Sequence, residues 1–111
     1  MQLTVTEHAP GTTVVALYGG LDIDTAPALR AALNRLLSRP SPHIVVDVAN
    51  LDFCDSMGLS TLVVTHQGAV ARGGWLRLAN PASFLSQLLQ VVGLAEHLAV
   101  YPDVDQALNA A

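Results

Sequence analysis

The sequence predicts an α/β fold: one domain over residues 1–111, with a mixed, mostly parallel sheet of four to five strands and about four helices. Three observations carry that prediction. Segments of strand and helix character alternate in the order β-β-α-β-α-β-α-β-α, the pattern of parallel strands joined by right-handed crossovers, with one hairpin at the edge. A length of 111 residues suffices for one domain and not for two. Apolar residues make up 51% of the chain, enough to bury a core and too many for a disordered polymer.

Leu3 and Val5 alternate with threonines and predict a short amphipathic strand at the start of the chain. Ala9-Pro10-Gly11 punctuates it as a turn. Thr12–Tyr18, with Val14, Val15 and Leu17, predicts a hairpin partner that Gly19-Gly20 ends. Leu21-Asp22-Ile23-Asp24 then forms a short acidic loop. Asp24 or Thr25 is the expected cap of a helix that tolerates Pro27 in its first turn. That helix carries Ala28, Leu29, Ala32, Leu33, Leu36 and Leu37 on one face, and Pro40-Ser41-Pro42 stops it.

His43–Ala49 has an apolar, β-branched centre and reads as a buried strand. Asn50–Cys54 follows as a loop, with Leu51 and Phe53 expected to point inward. From about Ser56 to Arg72 a central helix places Leu59, Leu62, Val63, His66 and Val70 on its inner stripe, and Gly73-Gly74 closes it. Trp75–Ala79 alternates as a strand. Asn80-Pro81 starts a third helix through Gln90, and Val91–Leu94 follows as a loop or helical tail. Leu98–Tyr101 is a last short strand, and Pro102-Asp103 opens a final helix with Val104, Ala107 and Leu108 facing inward.

The formal charge is −4, and all five basic residues are scattered arginines, so no clustered positive surface for nucleic acid or anionic membrane is expected. Cys54 is the one cysteine and is expected to be a small buried apolar residue. With no signal peptide and no apolar run long enough to span a bilayer, the expected setting is the cytoplasm.

The stretch that organises the rest is Asp55-Ser56-Met57-Gly58-Leu59, where a strand's exit becomes a helix's first turn. Asp55 is a good N-cap, because its carboxylate can accept the free N–H groups there. Ser56 follows at the exposed mouth of the helix. In parallel sheets the loops at the carboxyl ends of strands lie side by side, so the Gly20–Thr25 and Asp55–Gly58 segments are expected to be neighbours. A hydrolase built on Ser56 and His66 fails on spacing, since ten helical residues span about 15 Å. There is no G-x-S-x-G, no phosphate loop, no lysine and no metal-ligand spacing, so no catalytic residue, cofactor or metal is expected.

Asp55-Ser56-Met57-Gly58-Leu59 resembles the D-S-[ST]-G-L signature of STAS-domain anti-sigma-factor antagonists, and Gly20-Leu21-Asp22 with Thr25-Ala26 resembles that family's earlier G-x-L-D-x-x-[TS]-A segment. Gly20 stands where the family often has glutamate, and Met57 where it usually has serine or threonine. The resemblance implies a partner-switching protein that binds an anti-sigma factor which is also a serine kinase. Binding frees a sigma factor; phosphorylation of Ser56 prevents binding, and a phosphatase resets it. Asp22, Asp24, Thr25, Asp55, Ser56, Met57 and Gly58 are then the expected partner-binding residues. STAS-like domains also serve as unphosphorylated subunits of transporter or stress-sensing assemblies, which is the alternative.

Phosphorylation adds roughly −1.5 to −2 charges at a helix N-terminus, where free N–H groups tolerate a phosphate. The scaffold is therefore expected to survive modification while docking does not. Gly58, with no side chain, is expected to let a partner backbone approach closely.

Overall fold

In the computed structural model, which describes residues 1–9, 11–93 and 96–110, nine elements follow in order. They are β1 (Gln2–Ala9), β2 (Thr12–Leu21), α1 (Ala26–Leu37), β3 (His43–Cys54), α2 (Ser56–Ala71), β4 (Trp75–Ala79), α3 (Ser83–Val91), β5 (Ala99–Tyr101) and α4 (Val104–Asn109). The strands form one sheet in the order β1-β2-β3-β4-β5. β1 pairs with β2 antiparallel, and every other pairing is parallel. The expected α/β domain with an edge hairpin is the observed one. Pro10 of the expected turn and Leu94 of the expected Val91–Leu94 segment lie outside the described residues.

A large core on one side of the sheet joins Val15, Leu17 and Leu21 of β2, Leu29 and Leu33 of α1, Leu59 and Leu62 of α2, and Leu85 of α3. A smaller one beneath α4 joins Val45, Ala79 and Ala107. β4 is therefore covered on both faces, and Leu76, Arg77, Leu78 and Ala79 are all buried. The alternation expected of this strand is absent because α4 closes its second side. Among the described residues no helix is long and apolar enough to cross a membrane.

Several expectations need correcting. Gly19-Gly20 does not end β2, and Asn50–Cys54 is not a loop. The two stretches extend each other as a parallel pair, Gly19 beside Leu51, Gly20 beside Phe53 and Leu21 beside Cys54, with register shifts before Tyr18 and before Gly20. Such irregularities re-aim side chains, and here Leu51 and Cys54 are buried while Phe53 is exposed. Phe53 does not point inward as expected. On α1, Ala26 is buried and Ala28 is exposed. On α2 the buried line runs Leu59, Leu62, Thr65 and Ala69, leaving Val70 exposed one step beyond it. His66, flanking that line, accepts a hydrogen bond at Nδ1 from the backbone N–H of Leu76 at 3.1 Å, a packing role that ties α2 to β4.

Candidate functional site

The carboxyl ends of β2 and β3 bring together the two segments that sequence reasoning expects to be neighbours. The backbone N–H of Asp55 donates to Leu21 O at 3.1 Å. The Asp55 carboxylate then works in two directions. Oδ1 accepts from Gly58 N at 2.9 Å, capping α2, and Oδ2 accepts from Ile23 N at 3.2 Å, across the gap to the β2–α1 loop. One side chain thus satisfies a free amide of the helix N-terminus and pins the neighbouring loop.

The β2–α1 loop is wound around Asp22. Its Oδ1 accepts from Asp24 N at 2.9 Å and Thr25 N at 3.0 Å. The Thr25 hydroxyl accepts from Asp22 N at 2.9 Å, with Gly20 O at 3.1 Å and Asp22 Oδ1 at 3.2 Å as acceptors for its proton. These donors, the Thr25 amide foremost, hold the Asp22 carboxyl below its ordinary 3.8. Thr25 occupies the N-cap position of α1, yet its side chain makes no capping bond. Of the two expected caps, Thr25 is the one at the N-cap position and Asp24 is not, and the Thr25 hydroxyl turns back into the loop.

Ser56 is the first residue of α2 and is exposed, and among the described residues its hydroxyl engages no hydrogen bond. Met57 beside it is also exposed. Asp24 is exposed and Asp22 half-buried. Gly58 is buried instead: a Cβ there would lie 2.6 Å from Leu21 Cγ and 2.9 Å from Leu21 O. The close approach that requires glycine is made by Leu21 of the same chain, which corrects the expectation of a partner backbone at that position. Cys54, just before Asp55, is buried as expected, and burial together with the Asp55 charge pushes its thiol up to about 12.

Beyond Met57 a cavity of about 180 Å³ runs between α1 and α2, with Arg30, Ser60 and Val64 among its walls. Among the described residues no group of His, Cys, Asp and Glu is placed to hold a metal ion. Sequence reasoning missed two exposed apolar residues at this end, Ile23 and Phe53. Ile23 lies inside the acidic segment and could have been noticed there as an apolar residue in a polar loop. The exposure of Phe53 follows from the long-range register of β2 and β3, which has no local signal.

A family model described as "Mlab, STAS domain" matches residues 4–101. An anti-sigma F factor antagonist of Paenibacillus polymyxa is 29% identical over 104 residues, covering 93% of this chain and 89% of that protein. The anti-sigma-F factor antagonist RsfB of Mycobacterium tuberculosis is 31% identical over 83 residues, covering 68% of this chain and 67% of that protein. The crystal structure of an anti-sigma factor antagonist from Mycobacterium paratuberculosis is similar with a TM-score of 0.86 and 29% identity, over 98% of this chain and 92% of that one.

Proposed function

The chain belongs to the STAS domain family, and on that premise we propose that it is an anti-sigma factor antagonist switched by phosphorylation of Ser56. Bare, it binds an anti-sigma factor that is also a serine kinase and so releases a sigma factor. Phosphorylated, it does not bind, until a phosphatase restores the hydroxyl. The reaction chemistry belongs to the kinase and phosphatase; this chain supplies a presented hydroxyl and a binding surface, and its place of action is the cytoplasm.

The observation that carries the proposal is the position of Ser56. Its side chain is exposed on the first residue of α2 and its hydroxyl is engaged by none of the described residues, beside a carboxylate that fixes both α2 and the neighbouring acidic loop. A kinase can therefore reach it without unfolding the domain, and a phosphate there has the N–H groups of a helix start beneath it. The relatives named as anti-sigma factor antagonists support the antagonist part of this reading.

The test is direct. Calorimetry against the cognate anti-sigma factor should show Ser56→Ala binding like wild type and Ser56→Asp binding poorly. Equal affinities for the two variants would refute the switch. Mass spectrometry after incubation with kinase and ATP should find the phosphate on Ser56 alone.

A further inference from the structure

We propose that the cavity between α1 and α2 is a binding site for a short-chain hydroxycarboxylate, its acid group held by Arg30, its hydroxyl by Thr61 and Thr65, and its hydrocarbon end by Leu37 and Val64. The proposal is independent of the phosphoserine assignment, and its test uses neither Ser56 nor a protein partner.

The cavity measures about 180 Å³. At one end Leu37 rests over Gly68, where a Cβ would be 3.2 Å from Leu37 Cδ1, so the two helices close together there. Arg30 stands nearly two turns earlier on α1, about 10 Å along the axis, and is exposed. Thr61 and Thr65 line the cavity from α2, and each is 3% exposed. A cleft with apolar walls and a few converging polar groups is the usual form of a small-molecule site.

The polar groups on these walls match one kind of ligand. Arg30 is the one charged residue lining the cavity, and among the described residues its guanidinium makes no ion pair; the ion pair there is Arg39 with Glu7. An arginine offers a planar fork of donors that fits a carboxylate through two parallel bonds. Thr61 Oγ1 donates its proton to Met57 O at 3.2 Å, and Thr65 Oγ1 donates to Thr61 O at 2.8 Å. Both hydroxyls have thus committed their protons within α2, and among the described residues no group donates to either oxygen. Such oxygens can only accept. They repel a second carboxylate and welcome a ligand hydroxyl.

Leu37 and Val64 add apolar wall from both helices. A cavity of roughly 150 Å³ takes a ligand of about six heavy atoms, so the volume here suits a chain of about four carbons bearing the two polar groups. Inorganic phosphate covers none of the apolar wall. Occupancy bridges α1 and α2 and gives the domain an input separate from Ser56.

Proton–nitrogen correlation NMR of the full chain, titrated with 3-hydroxybutyrate, butyrate and inorganic phosphate, tests the site. 3-Hydroxybutyrate should give saturable shifts centred on the amides of Arg30, Asn34, Thr61, Val64 and Thr65. Butyrate, which lacks the hydroxyl, should bind about fivefold more weakly. Arg30→Gln should weaken 3-hydroxybutyrate about tenfold or more, with a melting temperature near wild type because the side chain is exposed. Thr65→Val should reduce the preference for 3-hydroxybutyrate over butyrate, whereas loosened packing alone would weaken both alike. No saturable shift up to about 50 mM 3-hydroxybutyrate, or an Arg30→Gln affinity within about twofold of wild type, would overturn the site. Equal wild-type affinities for 3-hydroxybutyrate and butyrate would overturn the hydroxyl contact. Phosphate saturating the same amides as tightly would overturn the hydrocarbon contact in favour of a bare anion site.

Discussion

The carboxylate of Asp55 accepts the backbone amide of Ile23 at 3.2 Å, across 32 residues of chain, while its other oxygen caps α2. A single residue makes the β2–α1 loop and the start of α2 one surface. Replacing it with alanine removes a helix cap and an inter-loop hydrogen bond together. Asp55→Ala is expected to cost about 2 kcal/mol. Asp55→Asn, which keeps one acceptor oxygen, should fall between the two. Thermal melts followed by circular dichroism check the order.

Gly58→Ala should destabilise the domain even though alanine is the better helix former by about 1 kcal/mol. The added methyl would meet Leu21 Cγ at 2.6 Å and Leu21 O at 2.9 Å, one of them backbone. Overpacking of that kind costs about 1–3 kcal/mol, so the net change is a loss. Urea denaturation that showed the variant to be more stable would contradict the packing at Leu21.

The depressed Asp22 carboxyl predicts an acid limb in stability. Its folded value lies below the ordinary 3.8, chiefly through the Thr25 amide. A group so depressed stabilises fully above its unfolded value, and the contribution is lost as pH falls through the folded one. Asp22→Asn should therefore lose less stability than wild type when denaturation is compared at pH 7 and at about pH 3.

Cys54 should be inert while the domain is folded. Burial and the charge of Asp55 push its thiol up to about 12, leaving almost no thiolate near neutrality. Iodoacetamide at about pH 8 should label it only in denaturant. Fast labelling of the native chain, read by mass spectrometry, would contradict the burial.

Arg77 is 7% exposed, lies 3.7 Å over the Trp75 ring and donates to Ala107 O at 2.8 Å, holding α4 on the sheet. Arg77→Ala should cost about 2–4 kcal/mol and lower hydrogen-exchange protection first in α4. Arg77→Lys should restore only part of this, since an ammonium has neither the planar stack nor the fork of donors.

Much of this molecule is legible along the chain. Apolar period and turn residues place the strands and helices to within a few residues, because both are local properties of a segment, except that the last five residues of β3 read as a loop. The Asp-Ser pair at the strand-to-helix junction is legible for the same reason: capping is chemistry between near neighbours. What tertiary structure alone decided concerns residues whose partners lie far away in sequence. Phe53 faces solvent because β2 and β3 shift register where they extend each other. Gly58 is required by Leu21, 37 residues earlier, and Arg77 is buried because α4 covers β4 from the second side. A side chain's direction on a strand reverses with a shift of one residue, and only the long-range pairing of the sheet sets that shift.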